Sequence, residues 1–223
     1  MRVVLLLSLV VTGFAAYAFP ADFYAANSVL ATGKWVKIGV EKSGVYMIPT
    51  ATLRSWGFTD PSKVRVHGYG GRRIADAMTR EAYIDDLPAV ASELTDAGVV
   101  FYAAGPDSWE LIGSRYRGRL NPYASMGYYF VTEAQEAAPA VPRSGNPSVS
   151  NPVTTATARL HHERELMQAT EIGPLFVGED FRSRQSQTFK FSTPGRVAGT
   201  ELWVGTQFVH RHIGASASLV ISV

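Results

Sequence analysis

The segment from Ser28 to Gly71 alternates hydrophobic and polar residues in short runs separated by turn residues, which favours β-structure over helix. Residues 35–40 have the period of two that is typical of a half-buried strand, and residues 45–48 are interpreted as the partner strand. The turn 42–44 between them offers Gly44 for a positive φ. The pattern predicts a hairpin, a short helix with a hydroxyl cap over Thr50–Trp56 that Gly57 ends, and a strand over 64–67.

Strand signals continue through residue 134 and return after residue 158. Turn residues interrupt the first region roughly every eight to twelve positions. Three later runs alternate and predict successive strands of an antiparallel sandwich or jelly roll: residues 187–192, 201–209 and 216–223. We therefore predict a mainly β protein with two β-rich domains, residues 19–134 and 159–223, the second a partial antiparallel β-sandwich or jelly roll.

The last alternating run reaches Val223, the final residue of the chain. A sandwich that stops inside a strand exposes an edge, which native domains avoid. We therefore expect the chain to be a truncated copy of a longer protein.

Residues 135–158 differ in composition from the regions on either side. They contain four prolines and many small polar residues, and few large hydrophobic ones. This composition predicts an extended linker. The alternative is that residues 153–158 already form a strand.

The N-terminus has the pattern of a secretory signal peptide over residues 1–18. Arg2 precedes an apolar run over 3–14, and Ala16-Tyr17-Ala18 is a small-x-small cleavage site between Ala18 and Phe19. The apolar run is shorter than the roughly 20 residues that a membrane-spanning helix needs. We expect an exported protein in the periplasm or at the outer membrane or cell surface.

Charge and cysteine content exclude several classes of function. The formal net charge is +2, which argues against nucleic acid or an anionic membrane as the main partner. The 223 residues contain no cysteine, so they form no disulfide and supply no cysteine nucleophile. We expect no enzymatic activity from this segment, and predict no catalytic, cofactor-binding or metal-binding residue.

Two groups of histidines resemble metal sites only in part. His161 and His162 are adjacent in the run His161–Glu165, so they diverge, whereas a zinc protease needs histidines at positions i and i+4 with a glutamate between them. We interpret this run as a charged segment leading into the second domain. His210 and His212 would share a strand face, but no third ligand has a predictable place, which favours a solvent-facing pair.

Three other patterns carry weaker signals. Gly68–Gly71 follows a strand but lacks the lysine of a phosphate loop, so it predicts a tight turn. No Gly-x-Ser-x-Gly elbow occurs. Acidic side chains suited to Ca²⁺ are more often solvated turn residues. They are Asp85, Asp86, Glu81 and Asp96.

Several aromatic residues are candidates for a sugar-stacking or protein-binding patch: Trp109, Tyr123, Tyr128, Tyr129 and Phe130. Alternation along strands places about half of such residues in a core. The pattern therefore favours core packing over a surface patch.

Four blocks in order resemble the N-terminal region of PorU-like sortases of the type IX secretion system, which are gingipain-like cysteine peptidases. The blocks are residues 28–71, residues 85–109 with Asp85-Asp86-Leu87-Pro88 and FYAAGPDSW, residues 121–132 with NPYAS and GYYFVT, and residues 175–181. One departure is a shorter segment between Pro88 and Val99, which lacks the Gly-Asp turn of the family.

The resemblance implies a caspase-like cell-surface cysteine peptidase that removes the C-terminal signal of exported cargo and transfers the cargo to a lipopolysaccharide anchor. Its Cys-His pair belongs to a later domain, and no residue of this chain matches that motif. For this segment the resemblance implies a non-catalytic structural or docking role, with a PorV-like outer-membrane barrel and the C-terminal signal domains of cargo as partners.

Two functions of other classes stay open. One is an autonomous secreted surface binding module, for example for glycan, which exposed coplanar aromatic side chains would favour. The other is an independent hydrolase, which would require a clustered triad or metal site in the fold.

The signal-peptide pattern makes a direct prediction about the mature protein. N-terminal sequencing of exported material should begin at Phe19, because the small residues at 16 and 18 fit the cleavage site. An intact Met1 in an extracytoplasmic fraction would contradict it.

Overall fold

A computed structural model of the chain describes residues 24–75, 77, 79, 82–136, 138–142, 153–169, 175–210, 214 and 218–223. The signal-peptide prediction, including Ala18 and Phe19, lies outside these residues. The strands are β1 (Val36–Val40), β2 (Gly44–Pro49), β3 (Val64–His67), β4 (Ala89–Val90), β5 (Ser92–Leu94), β6 (Gly98–Ala103), β7 (Asp107–Ile112), β8 (Arg115–Leu120), β9 (Gly127–Glu133), β10 (Met167–Gln168) and β11 (Phe176–Val177). Helix α1 spans Thr50–Ser55, and 3-10 turns span Val29–Ala31 and Pro61–Lys63.

Two antiparallel sheets form the body of the described fold. The larger sheet has the order β1-β9-β3-β4, and the smaller sheet has the order β2-β6-β5. The pairs β7–β8 and β10–β11 form separate two-stranded ribbons. The prediction of a mainly β protein is confirmed.

The core combines residues of both sheets with a residue of helix α1. Leu53 of α1 and Phe58 after it pack with Val66 and Val131 of the larger sheet and Phe101 of the smaller sheet. Burying each large apolar side chain contributes about 1.5–3 kcal/mol, so this cluster is the main source of stability in the described fold.

Helix α1 ends in a Schellman motif. Gly57 has a φ of 77° and donates its N–H to the Arg54 carbonyl, while Phe58 donates to the Leu53 carbonyl at 3.0 Å. The predicted glycine stop is therefore confirmed. The predicted hydroxyl cap is wrong, because the N-cap residue is Pro49 and Thr50 instead donates its N–H to the Ala97 carbonyl at 3.1 Å.

The predicted hairpin of β1 and β2 is also wrong. β1 pairs with β9 and β2 pairs with β6, so the turn between them moves the chain from one sheet to the other. Ser43 in this turn donates its N–H to Asp107 at 2.6 Å, a contact outside the turn. Gly44 has no positive φ. Alternation predicts that a segment is a strand, but it does not identify the partner strand.

The second half of the chain has less regular structure than the alternation predicts. Residues 187–192 and 201–209 form no strand, and the same is true of residues 218–223, while 216 and 217 lie outside the described residues. The described parts of 135–158 contain no helix or strand, so residues 153–158 do not form the alternative strand. A period of two sets the direction of side chains, but a strand also requires a neighbour for its backbone hydrogen bonds. The proposed domain boundaries stay a prediction.

No helix within the described ranges is long and apolar enough to span a membrane.

Candidate functional site

Three chain segments cross at very short distance where the larger and smaller sheets meet. A Cβ atom on Gly70 would lie 2.1 Å from the carbonyl oxygen of Ala104, and one on Gly127 would lie 2.4 Å from the same oxygen. A Cβ on Gly71 would lie 2.8 Å from the nitrogen of Pro106. We call this crossing the glycine junction, and it consists of Gly70, Gly71, Ala104, Gly105 and Gly127.

Tyr129 fixes the centre of the glycine junction. Its side chain is 3% exposed, and its hydroxyl oxygen accepts the N–H of Ala104 at 2.6 Å. Burial raises the pKa of the Tyr129 hydroxyl, so the group stays neutral across the physiological range. The buried Ala104 N–H therefore has a permanent partner.

Two polar side chains tie neighbouring loops to the glycine junction. The Ser43 hydroxyl accepts the N–H of Gly105 at 3.0 Å and donates to the Asp107 carbonyl at 3.1 Å. The Asn121 side-chain amide donates to the Gly71 carbonyl at 2.9 Å. The GYGG, AAGPD and NPYAS motifs thus meet in one structural unit. A turn is present at residues 70 and 71 of the predicted 68–71 turn.

Asp86 anchors the first described residues of the chain, with help from Asp85. Its carboxylate accepts the N–H of Val29 at 2.5 Å, the hydroxyl of Ser28 at 3.1 Å and its neighbour Leu87 N–H at 2.8 Å. The Val29 hydrogen bond is the main reason that the pKa of Asp86 is lowered. Asp85 accepts the N–H of Ala25.

The acidic residues considered for Ca²⁺ form no assembled site in the part of the chain that the structure describes. No group of three or more metal-binding side chains occurs among these residues. The oxygens of Asp86 already accept protein donors, and Glu81 lies outside the described residues. His212 is likewise outside them, so the proposed pair with His210 is not described.

Residues 159–165, which we call the strap, lie along one face of the β7–β8 hairpin. The Arg159 guanidinium carbon is 3.6 Å from the centre of the Tyr116 ring. The His161 ring lies against Gly118, since a Cβ atom on Gly118 would lie 2.4 Å from the imidazole ring of His161. Every second strap residue therefore meets every second residue of β8.

Glu163 makes the next contact of this series, since its Oε2 accepts the N–H of Leu120 at 2.8 Å. The His161 ring also packs edge-on against Trp109, with ring centres 5.9 Å apart. The even-numbered residues point the other way, and His162 Nε2 lies 2.8 Å from Glu179 Oε1. His161 and His162 thus diverge, as their adjacent positions predicted.

The strap contains an unusual carboxyl pair. Burial is the main cause that raises the pKa of Glu165 to about 7, and a hydrogen bond to Glu163 and the charge of that group add to it. Burial also lowers the pKa of His161. Sequence reasoning missed the packing of the strap against the β7–β8 hairpin. Residues 159, 161 and 163 nevertheless have the spacing of one strand face.

The candidate aromatic residues do not share one platform. Trp109 packs on His161, while Tyr123 packs on Phe176 with ring centres 6.1 Å apart. Tyr128 lies under the Lys37 ammonium at 3.8 Å. Tyr129 is in the core. These four side chains therefore each pack against a different part of the structure. Phe130 is half-buried on β9.

Comparison with known proteins finds a similarity between part of the chain and a solved structure. No family model matches the chain, and no curated protein matches it. Part of the chain is similar to a crystal structure described as dimeric latent PorU from Porphyromonas gingivalis, with 37% sequence identity and a TM-score of 0.51. The similarity covers 57% of this chain and 12% of that one, so the chain spans a small part of PorU. The resemblance found from the motifs is confirmed at the level of a PorU-like region.

The glycine junction predicts a large difference between two glycine-to-alanine substitutions. Gly127→Ala should lower the free energy of unfolding by about 1–3 kcal/mol or more, because the new methyl group overlaps backbone atoms that cannot move separately. Urea unfolding of the full chain measures the change.

Gly44→Ala is the matched control, since its nearest neighbour would be a side-chain atom at 3.9 Å and neither glycine has a positive φ. It should leave stability unchanged or raise it by about 0.4–1 kcal/mol. Equal effects of the two substitutions would contradict the close crossing.

Proposed function

We propose that this chain is the non-catalytic N-terminal region of a type IX secretion sortase and that it acts as a docking platform beside the peptidase. The carrying observation is the 37% identity to a region of PorU that shares its fold. The peptidase activity, the cargo and the barrel partner are properties of a PorU-like protein as a whole, and this proposal extends them to the present chain.

The structure supports a platform because the GYGG, AAGPD and NPYAS motifs, which resemble the family, meet at the glycine junction. The glycine junction is built from backbone contacts and buried hydrogen bonds, and no group of three or more metal-binding side chains occurs among the described residues. Contacts with a partner would therefore be made by exposed side chains on the two sheets.

The outer face of the smaller sheet is the surface that best fits this role. Val45 of β2 lies opposite Tyr102 of β6, and Met47 lies two residues further along the same face. Their exposed fractions are 73%, 52% and 49%. Adjacent exposed apolar side chains on a sheet face mark interaction sites more often than isolated ones do. We assign this face to a PorV-like outer-membrane barrel.

Binding of the full chain to a purified PorV-like barrel in nanodiscs tests the proposal. Biolayer interferometry should show saturable binding, and Val45→Lys should weaken it at least tenfold because a charge would enter an apolar contact. Val153→Lys makes the same change at a valine that is 87% exposed elsewhere, and it should bind like the unmodified chain. Absence of binding, or equal loss in both variants, would overturn the docking role.

The same proposal predicts that the chain cuts no cargo. Without cysteine it lacks the thiolate that a gingipain-like mechanism requires. The purified chain, incubated with a cargo protein that carries an intact C-terminal signal, should leave the signal uncut in mass spectrometry. Cleavage that persists after contaminating proteases are inhibited would contradict the assignment.

A further inference from the structure

Strand β3 carries a buried arginine that has no acidic partner. Arg65 is only 9% exposed. Its Nε donates to the carbonyl of Glu136, and its Nη1 donates to the carbonyls of Ser62 at 2.9 Å and Val64 at 2.8 Å. These acceptors are neutral, and Arg65 forms no ion pair in the described part of the chain. Buried charges in proteins are normally paired, so the guanidinium has an uncompensated positive charge.

Arg65 lines a cavity of about 190 Å³ between residues of the two sheets. The chain that follows β9 closes part of it, because the Ser92 N–H donates to the Pro139 carbonyl at 3.3 Å. Pockets for drug-sized ligands have roughly 300–1,000 Å³, so this cavity fits a smaller group. The residues that line it include Ser62, Arg65, Ser92, Leu94, Val99 and Ala138.

The cavity offers two hydrogen-bond donors to a ligand. The Nη2 of Arg65 donates to no described residue, and it is not among the polar atoms that are shut off from solvent without a partner. The Ser92 hydroxyl likewise has no partner among the described residues. The Ser62 hydroxyl is already used, since it donates to Asp60 at 2.6 Å. A guanidinium N–H and a hydroxyl beside apolar side chains suit a carboxylate with a short alkyl chain.

The nearby acidic side chains do not take this place. Hydrogen bonds from Ser62 are the main reason that the pKa of Asp60 is lowered, and the charge of Arg65 makes the smallest contribution. Asp60 has Lys63 as its ion-pair partner at 3.9 Å. Glu93 follows Ser92 on β5, so alternation directs its side chain to the opposite face of that strand. The positive charge of Arg65 therefore stays available to a ligand.

We propose that this cavity binds a small carboxylate, about the size of one glutamate side chain, with its oxygens on Arg65 Nη2 and the Ser92 hydroxyl. The alkyl part of the ligand would pack against Leu94, Val99 and Ala138. A free carboxylate and the acidic side chain of a bound peptide share this chemistry. The site does not depend on the sortase assignment.

Nuclear magnetic resonance of the ¹⁵N-labelled full chain tests the site, with sodium propionate as the probe at constant ionic strength. The backbone amide signals of Arg65 and Ser92 should shift saturably. Propionamide has the same shape without the charge, and it should leave both signals in place. Glutamate blocked at both its amino and α-carboxyl groups forms a second arm: binding as tight as that of propionate assigns the site to an acidic side chain, and binding of propionate alone assigns it to a free carboxylate.

A cavity-filling substitution and its neighbour provide the matched control. Ala138→Leu fills the cavity while Arg65 keeps its hydrogen bonds, and it should weaken propionate binding at least tenfold. Ala140→Leu makes the same change at an exposed position that does not line the cavity, and it should bind like the unmodified chain.

Two further variants remove the donors. Ser92→Ala should weaken binding by about two- to tenfold through loss of one hydrogen bond, and Arg65→Met should abolish it. If Arg65→Met does not fold, Ser92→Ala and Ala138→Leu decide the question. A shift that does not saturate, an equal response to propionamide, or equal binding by the Ala138 and Ala140 variants would overturn the site.

Discussion

The carbonyl oxygen of Ala104 lies so close to the backbones of Gly70 and Gly127 that no side chain fits between them. This contact joins the turn after β3, the loop between β6 and β7, and the start of β9. The first and last belong to the larger sheet, while β6 belongs to the smaller sheet. The spacing of the two sheets, and so the volume of the core between them, depends on three segments approaching at backbone distance.

Much of the first half of the fold follows from local patterns, but the pairing of its strands does not. The strand over 64–67, the helix start near Thr50 and the glycine stop at Gly57 are local features, and the structure has them where the sequence predicts. The separation of β1 and β2 into different sheets depends on β9 and β6, whose paired residues lie 87 to 95 and 49 to 59 residues away along the chain. Alternation carries no information about such partners.

The candidate sites show the same limit, because local sequence patterns do not reveal which distant residues come together. Sequence reasoning considered the glycine turn and the histidine run separately, and it predicted neither a phosphate loop nor a zinc-protease motif. It did not show that Gly70 meets Ala104, or that alternate strap residues from Arg159 to Glu163 follow alternate residues of β8. Both features depend on contacts between segments that are distant along the chain. The glycine junction is a crossing of backbone segments, whereas the strap is held on β8 by single side-chain contacts.

Native-state hydrogen exchange at the glycine junction tests the central role of this crossing most directly. The amides of Gly71, Ala104, Gly105 and Asn121 donate to Ala104, Tyr129, Ser43 and Pro106 respectively. If the crossing holds the two sheets together, these four amides exchange only through global unfolding, with the same free energy as the amides of β6 and β9. Exchange of the four amides through a local opening, at a much lower free energy than those strands, would contradict the account.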